Sequence, residues 1–216
     1  MDRYAILVAG GSGTRMGAAM PKQFLPLADG TPILVQTFRL FASLDRVQII
    51  VVLPEAHLAH WGQLSADFAL PAHQAVAGGA TRTASVAAGM ALVPGDALVA
   101  IHDGVRPFAT ADLVERCYAA AAEHGAACAA VPSKDSLRQR LPGGQSRAVA
   151  REDYYLVQTP QTFVAQVWKD ALAAAPAEAA FTDDAGLVEA AGYPIALVEG
   201  SYANIKITTP EDLPRG

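Results

Sequence analysis

Short runs rich in Val, Ile, Leu and Ala recur along the chain and alternate with longer Ala-rich segments. The runs at 4–9, 47–53, 74–77, 97–102 and 126–131 read as strands. Several are apolar at nearly every position, as expected of strands covered on both faces in a parallel sheet. Helices are expected between them, near 32–43, 55–70, 80–92 and 110–124. The last has the clearest limits, with Thr110 in place as N-cap and Gly125 just past the end. Strand and helix in alternation predict an α/β fold with a doubly wound, mostly parallel sheet. In such sheets ligands gather beyond the C-terminal ends of the strands.

One segment breaks the alternation. Residues 136–140, the turn Leu141-Pro-Gly-Gly-Gln145, and residues 146–150 read as a β-hairpin. It is too polar for the interior of a parallel sheet, so it is expected to project as an arm, at about 134–152, and to lean on a second subunit. After it, Thr182-Asp-Asp184 opens a helix that closes at Gly192, and 195–198 and 204–208 read as late strands. With no internal repeat or linker, residues 1–216 are expected to form one domain.

Composition narrows the partners. The 216 residues carry a net charge of −5 and no block of like charge, whereas duplex-binding proteins carry a basic face. Nucleic acid is therefore not expected as a partner. Cys117 and Cys128 form no Cys-x-x-Cys pair, which argues against a disulfide framework or a zinc site and fits a reducing compartment. A start with a charged pair and a short apolar run lacks the layout of a signal peptide. No apolar stretch reaches the ~20 residues of a membrane span. A cytoplasmic protein without a membrane partner is the expectation.

The strongest chemical signal is Ala9-Gly-Gly-Ser-Gly-Thr-Arg-Met-Gly17 with Met20-Pro-Lys-Gln-Phe24, directly after the first strand. Glycines allow a tight turn that brings backbone N–H groups against a triphosphate. Arg15 and Lys22 add two cations at its edge. A Walker loop is excluded because no Gly-Lys-Ser/Thr follows at the required spacing. A dinucleotide fingerprint is excluded because Met16 stands where its third glycine would be, and no acidic residue ends a second strand. Asp103 closes an apolar strand, where such sheets present ligand-binding groups. His102 beside it reads as structural, since an ionised phosphate nucleophile needs no base. His57 and His60 have metal-ligand spacing on a helix but no third partner, and read as a surface helix.

At the glycine-rich loop the sequence resembles the 2-C-methyl-D-erythritol 4-phosphate cytidylyltransferases of the non-mevalonate isoprenoid pathway. The resemblance recurs in Gly78-Gly-Ala-Thr-Arg-Thr-Ala-Ser85, His102-Asp-Gly-Val-Arg-Pro-Phe108, Gln158-Thr-Pro-Gln-Thr-Phe163, Thr182-Asp-Asp184 and Asn204-Ile-Lys-Ile-Thr-Thr-Pro-Glu-Asp-Leu213. It implies a Rossmann-like nucleotidyltransferase fold and a reaction in which the acceptor's phosphate attacks the α-phosphorus of CTP in line and pyrophosphate leaves. Such chemistry asks for positioning and charge neutralisation.

The resemblance also implies roles. Arg15 and Lys22 would stabilise the transition state, and Arg151 and Lys206 would position the acceptor phosphate. Asp103 would hold Mg²⁺, which takes one or two carboxylates and completes its shell with phosphates and water. Ala9, Gly10, Gly11, Gly13, Gly79, Ser85 and Gly104 would bind the nucleotide. Arg106, Ser136, Thr159 and Thr182 would bind the polyol phosphate. Ser136 and Arg151 bracket the arm, so in a homodimer with exchanged arms they would enter the partner's site. Three departures stand out: Ala80 where relatives often carry an acidic residue, Gly104 for a common alanine, and Ala203 where Asp often precedes the Asn-Ile-Lys motif. Ribitol-5-phosphate cytidylyltransferases share most of these motifs, so that acceptor, and a non-catalytic nucleotide-binding module, stay open as alternatives.

Overall fold

The computed structural model describes residues 1–10, 20–176 and 179–212. Its centre is a seven-stranded sheet in the order β3-β2-β1-β4-β8-β5-β9. The strands are β1 (Arg3–Val8), β2 (Val47–Leu53), β3 (Gln74–Ala77), β4 (Leu98–Asp103), β5 (Ala126–Pro132), β8 (Tyr155–Val164) and β9 (Ala196–Glu199). All pairings in the sheet are parallel except those of β8, which runs antiparallel to β4 and β5.

Alternation along the buried strands divides the core in two. Ala5, Leu7, Ile49, Val51 and Leu53 point to one face, where α1 (Ile33–Ala42), α2 (Leu58–Asp67) and α4 (Ala111–His124) cover them. Ile6, Val8, Ile50 and Val52 point to the other, under α3 (Arg82–Met90), α5 (Ala165–Ala174) and α6 (Asp184–Ala190). This two-sided burial is why these strands read as apolar throughout. The expected caps of α4 are present: the Thr110 hydroxyl accepts the Leu113 N–H at 3.2 Å, and Gly125 takes φ +84°, a value glycine reaches without strain.

The arm is a separate two-stranded hairpin, β6 (Arg138–Arg140) and β7 (Ser146–Ala148), exposed at every residue. Two elements were not foreseen. β8 contains Pro160 and the polar run Gln158–Thr162, which argue against a central strand. The polar residues are nevertheless buried, and the β4 ladder stops at Gln161, so no ladder bond is asked of the proline nitrogen. α5 follows β8 directly and buries Trp168. The expected strand at 204–208 is corrected: that stretch pairs with no strand. Its backbone bonds are short-range or single, such as the Ile205 N–H to the Ala203 carbonyl at 2.8 Å and the Ile207 N–H to the Val105 carbonyl at 3.0 Å.

Candidate active site

The strand order changes direction between β1 and β4, and beyond such a switch point a parallel sheet forms a crevice. Val8 and Asp103 face each other there at the ends of the two strands. The loop that leaves β1 carries Gly11, Gly13 and Arg15, and these three lie outside the described residues.

Two cavities meet at this point. The larger, about 520 Å³, is lined by Ala9, Gly10, Lys22, Gly79, Ala80 and Ser85, among others. The smaller, about 190 Å³, is lined by Arg106, Gln158, Thr159, Thr182 and Asp183. Arg82, Asp103 and Lys206 stand in the wall of both. Of the expected nucleotide residues, Ala9, Gly10, Gly79 and Ser85 line the larger cavity, and of the expected acceptor residues, Arg106, Thr159 and Thr182 line the smaller, with Asp103 between them.

Lys22 is aimed by its own turn. Pro21 opens a short 3-10 helix, Lys22–Phe24, closed by the Phe24 N–H on the Pro21 carbonyl at 2.9 Å. The Gln23 amide donates to the Ala9 carbonyl at 2.9 Å, fastening the turn to the end of β1. Phe24 is buried with the rings of His57 and His60 edge-on to it, at 5.7 and 4.7 Å between centroids. These histidines hold a phenylalanine, and no group of three His, Cys, Asp or Glu among the described residues could hold a metal. The Lys22 ammonium donates to the Ile207 carbonyl at 3.2 Å.

Ser85 and Gly79 shape one end of the larger cavity. Thr81 caps α3 by accepting the Ala84 N–H at 3.0 Å, which presents the positive end of that helix to the cleft. The Ser85 hydroxyl turns to the Thr81 and Gly79 carbonyls, at 2.9 and 3.3 Å. A methyl group on Gly79 would stand 2.5 Å from the Ala84 Cβ, so glycine is required for the close approach of turn and helix. Gly104 lines neither cavity. It sits under the end of β1, its N–H on the Val8 carbonyl at 2.8 Å and its carbonyl accepting the Thr37 hydroxyl at 3.1 Å.

Asp103 is almost fully buried and faces three cations. Lys206 Nζ lies 3.0 Å, Arg106 Nε 3.2 Å and Arg82 Nε 3.7 Å from its carboxylate oxygens. Burial disfavours the charge, but Lys206, Arg82 and Arg106 outweigh it and hold the carboxyl down at about 2. Behind it, Thr159 closes a chain of hydrogen bonds. Its hydroxyl oxygen accepts the Asp103 N–H at 3.0 Å and its proton goes to His102 Nδ1 at 3.1 Å, while His102 Nε2 donates to the Arg106 carbonyl at 3.1 Å. Both ring nitrogens of His102 are thus engaged, and burial pulls its imidazole down to about 4. A neutral, saturated histidine fits the structural reading given to it.

Arg82 was not singled out by sequence reasoning. Besides Asp103 it pairs with Asp184 at 2.5 Å, and Trp168 donates to the other Asp184 oxygen at 3.0 Å. Burial pushes the Asp184 carboxyl up, while Arg82 pulls it back. The sequence signals were its place within the motif Gly78–Ser85 and at the start of a capped helix beside the Gly78-Gly79 turn. Ser136 and Arg151, in contrast, line neither cavity. Arg151 sits at the root of the arm, its guanidinium donating to the Lys134 carbonyl at 2.8 Å, against a separate hollow with Pro132, Ser133 and Glu152.

This arrangement matches known proteins along its whole length. The sequence model of the family 2-C-methyl-D-erythritol 4-phosphate cytidylyltransferase fits residues 4–216. A Bacteroides thetaiotaomicron protein of that name is 45% identical over 100% of this chain and 98% of its own. Another, from Porphyromonas gingivalis, is 46% identical over 98% and 94%. Among solved structures, that of the Thermus thermophilus protein of the same name superposes with a TM-score of 0.79 at 35% identity, over 99% of this chain and 96% of that one.

Proposed function

The chain belongs to the 2-C-methyl-D-erythritol 4-phosphate cytidylyltransferase family, and from that premise we propose how its residues divide the work. The enzyme transfers CMP from CTP to 2-C-methyl-D-erythritol 4-phosphate and releases pyrophosphate. Ribitol 5-phosphate is not favoured as acceptor, because the relatives at 45–46% identity carry the methylerythritol phosphate name. A module without catalysis is not favoured either, since Lys22 and Asp103 both face the cleft.

One observation carries the assignment of roles: a single buried carboxylate, ringed by three cations, stands in the shared wall of two cavities. CTP takes the larger cavity, with its base against Gly79 and Ser85 and its phosphates against the glycine-rich loop, Arg15 and Lys22. The acceptor takes the smaller, its phosphate drawn to Arg106 and Lys206. The two phosphates then meet beside Asp103, and in-line displacement needs little more than this alignment and charge neutralisation. Lys22 and Arg15 donate where negative charge builds on the reacting phosphate. Thr159 keeps its hydroxyl proton on His102 and serves the acceptor side by holding Asp103 in place.

Asp103 is suited to Mg²⁺. It is held ionised and is the one carboxylate among the described residues in the wall of both cavities, so the remaining ligands would come from the triphosphate and water, as this ion prefers. Bound there, the ion would neutralise phosphate oxygens. The carboxylate also holds Lys206 and Arg106 while the site is empty, keeping both at the junction where the acceptor phosphate needs them.

A homodimer completes the reading. Tyr154, Tyr155, Leu156 and Val157 at the arm's root are exposed, as are Leu197, Tyr202 and Ile205 nearby. Several large apolar side chains exposed around the arm's root favour a partner. A second copy covering them lets the arm carry Ser136 and Arg151 to the other subunit's acceptor cavity. Among the described residues no helix is long and apolar enough to cross a membrane, which supports a cytoplasmic enzyme.

The test is pyrophosphate release from CTP, Mg²⁺ and methylerythritol phosphate. A higher kcat/KM with ribitol 5-phosphate would replace the acceptor. Asp103→Asn should abolish turnover at any Mg²⁺ concentration; unchanged Mg²⁺ dependence would place the metal elsewhere.

A further inference from the structure

The segment 201–207 has no regular secondary structure, yet it meets three of the site's cations. It carries Lys206, whose ammonium reaches Asp103. The Asn204 carbonyl accepts Arg106 Nη1 at 2.7 Å, and the Ile207 carbonyl accepts Lys22 Nζ at 3.2 Å. A loop without a ladder needs another source of rigidity if it is to set positions to a fraction of an ångström.

That rigidity comes from side chains. Asn204 is fully buried, and its Nδ2 donates to the Thr159 carbonyl at 2.8 Å and to Gln158 Oε1 at 3.2 Å. Gln158 grips the loop's start, its Nε2 donating to the Ser201 carbonyl at 2.8 Å and its Oε1 accepting the Ser201 N–H at 3.3 Å. Both anchors are on β8, so the loop is referred to the sheet through two amides. Asn204 lines neither cavity. Its influence on the reaction has to pass through its neighbours.

We propose that Asn204 is a positioning residue for the transfer, fixing through one buried amide where Arg106, Lys206 and Lys22 stand. The inference rests on Lys206 and Arg106 serving the acceptor phosphate. Releasing the amide lets the loop drift, and a shift of about 1 Å at reacting groups costs on the order of 10²-fold.

Asn204→Leu keeps the branched outline of the side chain, though it is bulkier, and lacks both donors. For the enzyme, kcat/KM for methylerythritol phosphate should fall by about 10²-fold, with a rise in acceptor KM measured well below the variant's thermal midpoint. Introduced into Lys206→Ala, the same change should add far less than it costs alone, because much of its effect passes through that lysine. A lowered midpoint with normal acceptor KM would mean that Asn204 only stabilises the fold, and would overturn the proposal. So would full additivity with Lys206→Ala. If Lys206→Ala itself left the acceptor KM unchanged, the acceptor reading of Lys206 would fail first, and this inference with it. Should Asn204→Leu not fold, Asn204→Ser is subject to the same criteria.

Discussion

Lys22 illustrates how a surface-prone residue becomes specific. A lysine ordinarily ends in solvent, but Pro21, the Gln23 amide and buried Phe24 leave this one little choice of direction. Lys22→Ala should lower kcat by roughly 10²–10³, comparable with the loss of one oxyanion donor. KM for CTP should change less, and steady-state kinetics would show the reverse pattern if Lys22 only bound substrate. The cysteines make the opposite point. Cys117 and Cys128 are both buried, and burial pushes each thiol up to about 12. The thiolate is the reactive form, so at pH 8 the folded enzyme should resist an aromatic disulfide reagent. Two equivalents should react on unfolding; rapid labelling of native protein would contradict this burial. At this scale the sequence revealed the residues lying within motifs, including Lys22, Asp103 and Lys206. Arg82 and Gln158 lie within motifs too, but what they do stayed hidden because their partners are far along the chain: Asp184 is 102 positions from Arg82, and Ser201 is 43 from Gln158.

Elements whose cause is local were legible, and those whose cause is tertiary were not. β1 and β2 announce themselves by runs apolar at nearly every position, and α4 by its caps. β8 carries the marks of a loop, and only its place between β4 and β5 makes a strand of it: Gln161 is buried there with its amide oxygen on the N–H groups of Asp184 and Ala185, at 2.9 and 2.8 Å. The stretch 204–208 fails in the other sense, since its apolar alternation suggests a strand while Asn204 fastens it to β8 as a loop. The β3–α3 turn gives a sharp test. Gly79→Ala would press a methyl on the Ala84 backbone at 3.2 Å as well as on its Cβ, so turn or helix must shift. CTP affinity should drop by at least an order of magnitude, about 1.4 kcal/mol, while the acceptor KM changes little. Equal loss for both substrates in binding measurements would argue that the turn has no particular tie to the nucleotide.

For the whole molecule the open question is whether an active site belongs to one chain. Lys22 lines the larger cavity, whereas Arg151 stands at the root of the arm, away from both cavities of its own chain. In the proposed dimer, Lys22→Ala and Arg151→Ala proteins are each inactive. A mixed dimer then holds one site with both residues intact. Random exchange of equal amounts should restore up to roughly a quarter of wild-type turnover, by two-fold symmetry. No recovery after demonstrated exchange would refute the shared site and leave the reaction standing.

The direction of β8 has a consequence of its own. Entering antiparallel to β4, it begins at the edge where the parallel strands finish, so the chain feeding it must arrive at that edge. A parallel strand in the same slot would start at the opposite edge, and anything inserted before it would hang beneath the sheet, remote from substrate. Reversal makes the stretch between β5 and β8 a tether fastened at both ends beside the crevice. Residues can be gained or lost along that tether without disturbing strand register, and each change of length alters which neighbouring molecule its tip can touch. In the proposed dimer, catalytic partnership and subunit pairing can therefore diversify there while the sheet beneath stays the same.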